Sequence, residues 1–184
     1  MCYRIGEMYL DNQKYGLAIL KFKRAIYYRT RVLGKNDPSL IKINEKLAET
    51  FKKWNKFDDC LKYYQICLTA LQKWEKSGTE VSRVYKLIGQ VYEEIGNNQK
   101  AYETYEHCLE YALKVYEEND PKIAEIFQSL GSIQRKLQKY KEAHESYKRA
   151  LQIYNEKYKE KHESVASLYT DIAWIYHDEK KFPE

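Results

Sequence analysis

A two-residue step, an aliphatic residue followed by a small one, recurs along this chain. It stands at Ile5-Gly6, Leu47-Ala48, Ile88-Gly89, Leu130-Gly131 and Ile172-Ala173, at intervals of 42, 41, 42 and 42 residues. Self-similarity at such a period means that no single segment buries its own apolar face, so neighbouring copies must stack to make a core. Further columns keep the same register. Three residues after each small residue stands Tyr9, Phe51, Tyr92, Gln134 or Tyr176. Twelve after it stands Ala18, Cys60, Ala101 or Ala143, and four further on Phe22, Tyr64, Tyr105 or Tyr147. Three more residues bring Ala25, Cys67, Cys108 or Ala150, followed by Ile26, Leu68, Leu109 or Leu151.

Spacings of three and four are those of an α-helix. A small residue lets two helices approach closely, and the aromatic that follows fills the space between them. Each repeat therefore reads as two helices with a tight turn between them, at Asp11-Asn12-Gln13, Asn55-Lys56, Gly96-Asn97-Asn98 and Gln138-Lys139. Only 3 prolines and 7 glycines interrupt the 184 residues, and no long alternation of apolar and polar residues suggests a strand. The expected fold is all-α: a solenoid of four helix pairs plus one extra helix. Its repeats are expected at about 1–37, 38–78, 79–120 and 121–162, with a partial one at 163–184.

Between repeats, Asn36-Asp37-Pro38 and Asn119-Asp120-Pro121 are equivalent. Asp suits the N-cap and Pro the first helical turn, where its missing N–H costs nothing. Thr79 and Ser164 are expected to cap the other two first helices. Gly6, Gly89 and Gly131 serve close packing, and the remaining glycines lie at turns and helix ends, so none is left to cradle a phosphate. Met1 falls inside a first helix, and residues 180–184 stand where a second helix of the fifth repeat should begin. A solenoid closes with a polar capping helix, and none is written here, so a piece of a longer repeat protein is expected.

The formal net charge is +5, from 32 basic and 27 acidic residues. The signs read as interleaved nearly everywhere, with Lys52-Lys53 as the longest basic cluster, so no nucleic-acid partner is expected. The 19 tyrosines fall mostly in core columns or along the second helices, which makes them packing residues. Trp54 and Trp74, near helix ends, read the same way. Cys60, Cys67 and Cys108 replace alanines of the repeat, and with Cys2 they form no zinc spacing; they are expected to be small buried hydrophobes in a reducing cytosol. His107, His144, His162 and His177 are scattered, without a neighbouring nucleophile or a metal-binding pattern. No apolar stretch reaches membrane-spanning length, and the N-terminus has no signal-like apolar core. The expectation is a protein with no catalytic site, cofactor, metal or membrane contact.

The columns of Leu/Ile-Gly/Ala, aromatic, Ala, aromatic and Ala resemble the tetratricopeptide repeat across essentially the whole chain. The usual unit is about 34 residues, and the longer unit here is similar to that of kinesin light chains. The segment YRTRVLGKNDPSL, from Tyr28 to Leu40, is especially similar to their linker, and the segment from His162 to Ala166 is a weaker echo. The resemblance implies a right-handed superhelix whose first helices line a concave, peptide-binding groove. It implies a cytoplasmic scaffold binding proteins or peptides within a larger assembly, in a microtubule-linked, ciliary or axonemal setting. The alternative is a cargo adaptor for short linear peptides.

The groove positions are those that the core columns leave unused. They are Lys42, Glu45, Lys46, Glu49 and Lys53; then Arg83, Lys86, Gln90 and Glu94; then Gln128, Ser132 and Arg135; then Thr170, Trp174 and His177. Their cations suit an acidic or carboxylate-bearing segment, and Trp174 suits an anchor or a packing contact. The paired asparagines of kinesin light chains are replaced here by Glu45-Lys46, Lys86-Leu87, Gln128-Ser129 and Thr170-Asp171. Lys86 with Gln90 matches only part of the carboxylate clamp of chaperone-binding relatives.

Overall fold

The computed structural model describes residues 1–35, 37–73, 78–158 and 163–178. The expectations for Asn36, Trp74, His162 and residues 180–184 fall outside the described residues. Among those described there are nine helices and no strand. The chain divides into two compact units, Met1–Lys76 and Ser77–Glu184. The first holds α1 (Cys2–Asp11), α2 (Tyr15–Leu33), α3 (Ser39–Lys53) and α4 (Phe57–Lys73), each packed on the next. The second holds α5 (Gly78–Ile95), α6 (Asn98–Leu113), α7 (Pro121–Lys136), α8 (Tyr140–Lys157) and α9 (Glu163–Asp178), again each packed on the next.

Odd-numbered helices are the first helices of the repeats, and they carry the aliphatic-small step. The step works through a ring from the second helix. A Cβ added to Gly6 would lie 2.7 Å from the Phe22 ring, at Gly89 2.6 Å from Tyr105, and at Gly131 2.7 Å from Tyr147. Phe22, Tyr105 and Tyr147 are fully buried, and so is Ala48 at the one complete repeat that carries alanine. In the glycine repeats the filler of the interhelix space is therefore this ring, while Tyr9 and Tyr92, three residues after their glycines, stay half-buried. In the second repeat Phe51 is buried and stacks on Tyr63 of α4 with ring centres 5.4 Å apart, as expected. Gln134, which takes the aromatic's place in the fourth repeat, is buried and accepts a hydrogen bond from the Ser146 hydroxyl at 2.7 Å. That bond keeps its polar end satisfied.

Each hairpin turns at the same column. Gln13, Asn55, Gly96 and Gln138 all adopt positive φ, at 56°, 57°, 79° and 60°. The next residue's N–H then reaches back past the helix end: Lys14 to the Tyr9 carbonyl at 2.8 Å, Lys56 to Phe51 at 2.9 Å, Asn97 to Tyr92 at 2.9 Å and Lys139 to Gln134 at 2.8 Å. This is a glycine-type helix stop, and only one repeat uses glycine for it.

At the inter-repeat links, Asp120 accepts the Lys122 N–H at 2.8 Å and Pro121 opens α7, as expected. Asp37 accepts the Ser39 N–H at 2.9 Å, and the two bonds from Ser39 hold its carboxyl below the usual carboxylate range. Thr79 and Ser164 are not ahead of their helices. α5 begins at Gly78 and α9 at Glu163, so both residues lie inside the first turn. Cys60, Cys67 and Cys108 are fully buried. The Cys108 thiol donates to the Ser82 carbonyl at 3.2 Å, and burial pushes its pKa up.

The left-handed turn makes a paired stability prediction. A non-glycine residue there costs about 1 kcal/mol, partly offset by the extra chain entropy of glycine in the unfolded state. Gln138→Gly is therefore expected to raise the urea midpoint slightly, and Gly96→Ala to lower stability by about 1 kcal/mol. The reverse order would refute the turn assignment.

The tyrosine core predicts alkaline sensitivity. Burial, first of all, raises the phenols of Tyr64, Tyr105 and Tyr147, and pushes Tyr154 up to about 12. Their unfolded values are about 10. Folding thus favours the protonated phenols, so their contribution is intact below pH ~10 and is lost as pH climbs beyond it. Urea midpoints should stay level from about pH 8 to 9.5 and fall above about 10.5, in step with tyrosinate absorbance. A midpoint that holds or rises in that range would contradict the buried tyrosine column.

Candidate functional site

The polar columns of the first helices meet each other from one repeat to the next. In the second unit, Lys86 of α5 pairs with Glu125 of α7. One repeat on, the same columns bring the Gln128 amide of α7 within 3.4 Å of Ser167 of α9, and within 2.6 Å of Asp171. Toward the other helix end, Glu93 of α5 pairs with Lys136 of α7 at 2.9 Å, and Arg135 of α7 with Asp178 of α9. These two pairs occupy equivalent columns with the signs reversed. Glu93 is held twice, because its other oxygen accepts the Tyr105 hydroxyl at 2.7 Å. In the first unit, the column of Lys86 holds Tyr3, and that of Glu125 holds Lys42. There the Lys42 ammonium lies 5.9 Å from the Tyr3 ring centre. Lys42, Lys86, Gln128 and Arg135, all expected to face a ligand, thus tie neighbouring first helices together.

The remaining expected cations of α3 are also engaged. Lys46 reaches Glu49 at 2.7 Å and Lys53 reaches it at 3.4 Å. Burial works to raise the Glu49 carboxyl, but the bond and charge of Lys46, with Lys53 behind, hold it below its ordinary value. Glu45 is half-buried on the same helix. In α5, Arg83 binds Glu80 through two nitrogens at 2.7 and 3.1 Å, and Gln90 is half-buried.

Arg83 and Lys86 come together at the rim of a cavity of about 390 Å³. It lies between α5, the link after α6 and the start of α7. Its floor includes the buried Ser82, Cys108 and Ile126. Glu80, Glu125, Tyr116 and Lys122 join the rim. Lys122 sits with its ammonium 4.6 Å above the Tyr116 ring centre and 3.4 Å from the phenol oxygen. Among the described residues it has no carboxylate partner. Three cations thus face two carboxylates around a floor with an apolar part. Lys122 and Tyr116 were not among the sequence expectations. The Asp120-Pro121 start gave their place, since it puts Lys122 in the first turn of α7 and Tyr116 in the link beside it.

Trp174 is half exposed on α9, its ring edge-on to His177 at 5.5 Å. His177 also lines a more open cavity of about 570 Å³ with Arg135, Lys136, Gln138, Tyr140 and Asp178. The α3 set lies in the first unit and the other expected residues in the second. Among the described residues no group of three or more His, Cys, Asp or Glu side chains could hold a metal ion, and no helix is long and apolar enough to cross a membrane.

Residues 80–156 match the tetratricopeptide repeat family. No curated protein sequence matches the chain. Among solved structures, BtubC (BKLC) from P. vanneervenii superimposes with a TM-score of 0.82 at 17% identity, over 96% of this chain and 71% of that one. The nearly identical TPR-like repeats of a putative kinesin light chain from Podosopora anserina superimpose with a TM-score of 0.80 at 15% identity, over 98% and 86%. A Rap protein complexed with Competence and Sporulation Factor superimposes with a TM-score of 0.65 at 21% identity, over 98% of this chain and 48% of that one. The chain has the all-helical repeat fold of these solved structures, and its residues 80–156 carry the tetratricopeptide repeat.

The polar ladder carries its own prediction. A double-mutant cycle on Arg135→Ala and Asp178→Ala should return a favourable coupling at low salt, shrinking toward zero at about 1 M salt. Zero coupling at low salt would show that the pair does not tie α7 to α9.

Proposed function

We propose that the chain is a non-catalytic protein-interaction scaffold, and that its second unit takes a carboxylate-bearing segment of a partner protein in the cavity between α5 and α7. The observation that carries this is the Lys122 ammonium, which has no carboxylate partner among the described residues and stands at the rim of that cavity. Arg83 and Lys86 stand beside it, and their partners Glu80 and Glu125 have side chains about half exposed. An incoming carboxylate can bond to Lys122 outright and share Arg83 or Lys86 by exchange with the protein's own carboxylates. An apolar side chain next to that carboxylate would cover Ile126 and Cys108. The repeat fold supports a protein as the partner class.

The exposure of Glu80 and Glu125 favours a second reading, a reversible adaptor for short linear peptides. Exchange between ion pairs gains little net energy, so such a complex would be weak and salt-sensitive. A microtubule-linked setting, motor, ciliary or axonemal, is the finer form of the proposal. The repeat length near 42 residues and the fold shared with a putative kinesin light chain support it.

Crosslinking mass spectrometry on native complexes from the source cell tests the reading. Crosslinks from Lys86 and Lys122 to an acidic segment of a partner are expected, with affinity falling at least about tenfold in Lys122→Glu. Tubulin or axonemal partners would favour a built-in scaffold, and motor heavy chains or varied cargo tails the adaptor. Crosslinks confined to Lys42, Lys46 and Lys53 would move the site to α3. No crosslinks beyond the chain's own gene product would overturn the proposal.

A further inference from the structure

Aligning the second helices by their repeat column exposes an exception to the interleaved charge. Between residues 12 and 36 the chain carries Lys14, Lys21, Lys23, Arg24, Arg29, Arg31 and Lys35, and no carboxylate. The other second helices all hold acids: Asp58 and Asp59 on α4, Glu103, Glu106 and Glu110 on α6, Glu142, Glu145 and Glu156 on α8. The charge that is interleaved nearly everywhere thus has its exception at α2. The chain-wide balance averages over what the repeat register separates.

The same alignment isolates apolar residues. Leu17 stands where the sibling helices have Asp59, Lys100 and Glu142. Leu20 stands where they have Lys62, Glu103 and Glu145, and Tyr27 where they have Thr69, Glu110 and Gln152. All but Asp59 of those siblings are exposed, so these columns face outward wherever they occur. On α2 the outward columns are apolar and still open, with Leu17 44%, Leu20 46% and Tyr27 54% exposed. Tyr28, beside Tyr27 with ring centres 5.5 Å apart, is equally open, and Arg31 lies 5.3 Å from the Tyr27 ring centre. Leu17, Leu20, Arg24, Tyr27 and Arg31 follow one another at helical spacing and make one stripe. Among the described residues, Lys23, Arg24 and Arg31 have no ion-pair partner.

We infer that this stripe of α2 is a second protein-docking surface, and that its partner is an acidic amphipathic helix with carboxylates interspersed among apolar side chains. Charge complementarity sets the sign, because an acid-free helix meets least repulsion from a segment rich in Asp and Glu. The interspersed pattern sets the class. Arg24 stands between Leu20 and Tyr27, so sinking the stripe into a bilayer would drag its guanidinium below the headgroups, whereas interfacial helices segregate cations to a separate face. A nucleic acid would satisfy the cations but offers nothing to Leu17 and Leu20. A helix with apolar residues three and four apart and carboxylates between them satisfies both.

The test titrates the full 184-residue chain against a fluorescent synthetic peptide of about 18 residues, five helical turns, built from Leu, Phe, Ala and Glu in that pattern. Saturable binding is expected, weakening at least tenfold in the double variant Leu20→Glu with Tyr27→Glu. Circular dichroism should show that variant folded, because sibling repeats carry glutamate in both columns. The double variant should lose the same factor in a Lys122→Glu background as in the parent, which separates this surface from the cavity site. The inference is overturned if the peptide does not saturate or if the α2 variant binds as well as the parent. It is also overturned if phosphatidylserine-containing vesicles or a short DNA duplex bind more tightly than the peptide, or if Lys122→Glu alone abolishes binding.

Discussion

In three of the four complete repeats an aromatic ring from the second helix rests where the first helix has only a glycine. At Gly6, Gly89 and Gly131 the ring occupies the volume that a Cβ would need. This contact fixes the approach of the two helices, and with it the length of turn that can join them. The turn in each of the four repeats needs one left-handed residue, and Gln13, Asn55 and Gln138 accept that strain where only Gly96 avoids it. Strain at the turn is tolerable because the seated ring holds both helix ends in place. The phenol makes a further demand. Tyr105 satisfies its hydroxyl on Glu93, and Glu93 reaches on to Lys136 of the next first helix. One chain of contacts thus runs from the ring, through a carboxylate, to the neighbouring repeat.

That chain explains why the polar columns are ambiguous to a reader of the sequence. A residue left out of the core at a fixed spacing on every first helix has two uses. It can face a ligand, or it can meet its counterpart on the adjacent first helix. Lys86, Gln128 and Arg135 do the second. The offsets that join them, 39 and 43 residues, lie just to either side of the repeat length. They depend on the stagger between successive helices, which periodicity alone does not contain. The helix pairs, their order and the aromatic columns are legible because they depend only on local spacing; which column seats on the glycine depends on how the two helices pack and is not. Thr79 and Ser164 misled because a capping residue type is common inside first turns as well as ahead of them. Gln134 looked like a lapse in the aromatic column, and its partner Ser146 stands in a column where the sibling helices carry Lys21, Tyr63 and Thr104.

Where most polar positions are spent on the protein itself, the informative residues are those that break the register. Lys122 breaks it by lacking, among the described residues, a carboxylate where Arg83 and Lys86 each have one. Leu17, Leu20 and Tyr27 break it by being apolar in columns where the sibling helices are polar. A repeat protein supplies its own control for such judgements. Each column has been filled several times under nearly the same packing constraints, so a departure in one copy cannot be ascribed to the fold. Exposed leucine is ordinary on a protein surface taken singly. Three apolar residues in three outward columns of one helix, the only acid-free second helix among the described residues, call for a cause outside the repeat.

The two departures also differ in kind, and the difference bears on how each would be used. The cavity beside Lys122 offers charge over a small partly apolar floor, and two of its three cations must be shared with the protein's own carboxylates. Its complexes should form and part readily. The α2 stripe offers apolar area together with cations that, among the described residues, have no carboxylate to give up, so little is lost on docking. Longer-lived attachment fits the second surface better than the first. A scaffold that holds one partner on the α2 stripe while exchanging acidic segments at the α5–α7 cavity would need no catalytic group and no moving part. It would need only that the two surfaces lie on separate compact units, as α2 and the α5–α7 cavity do.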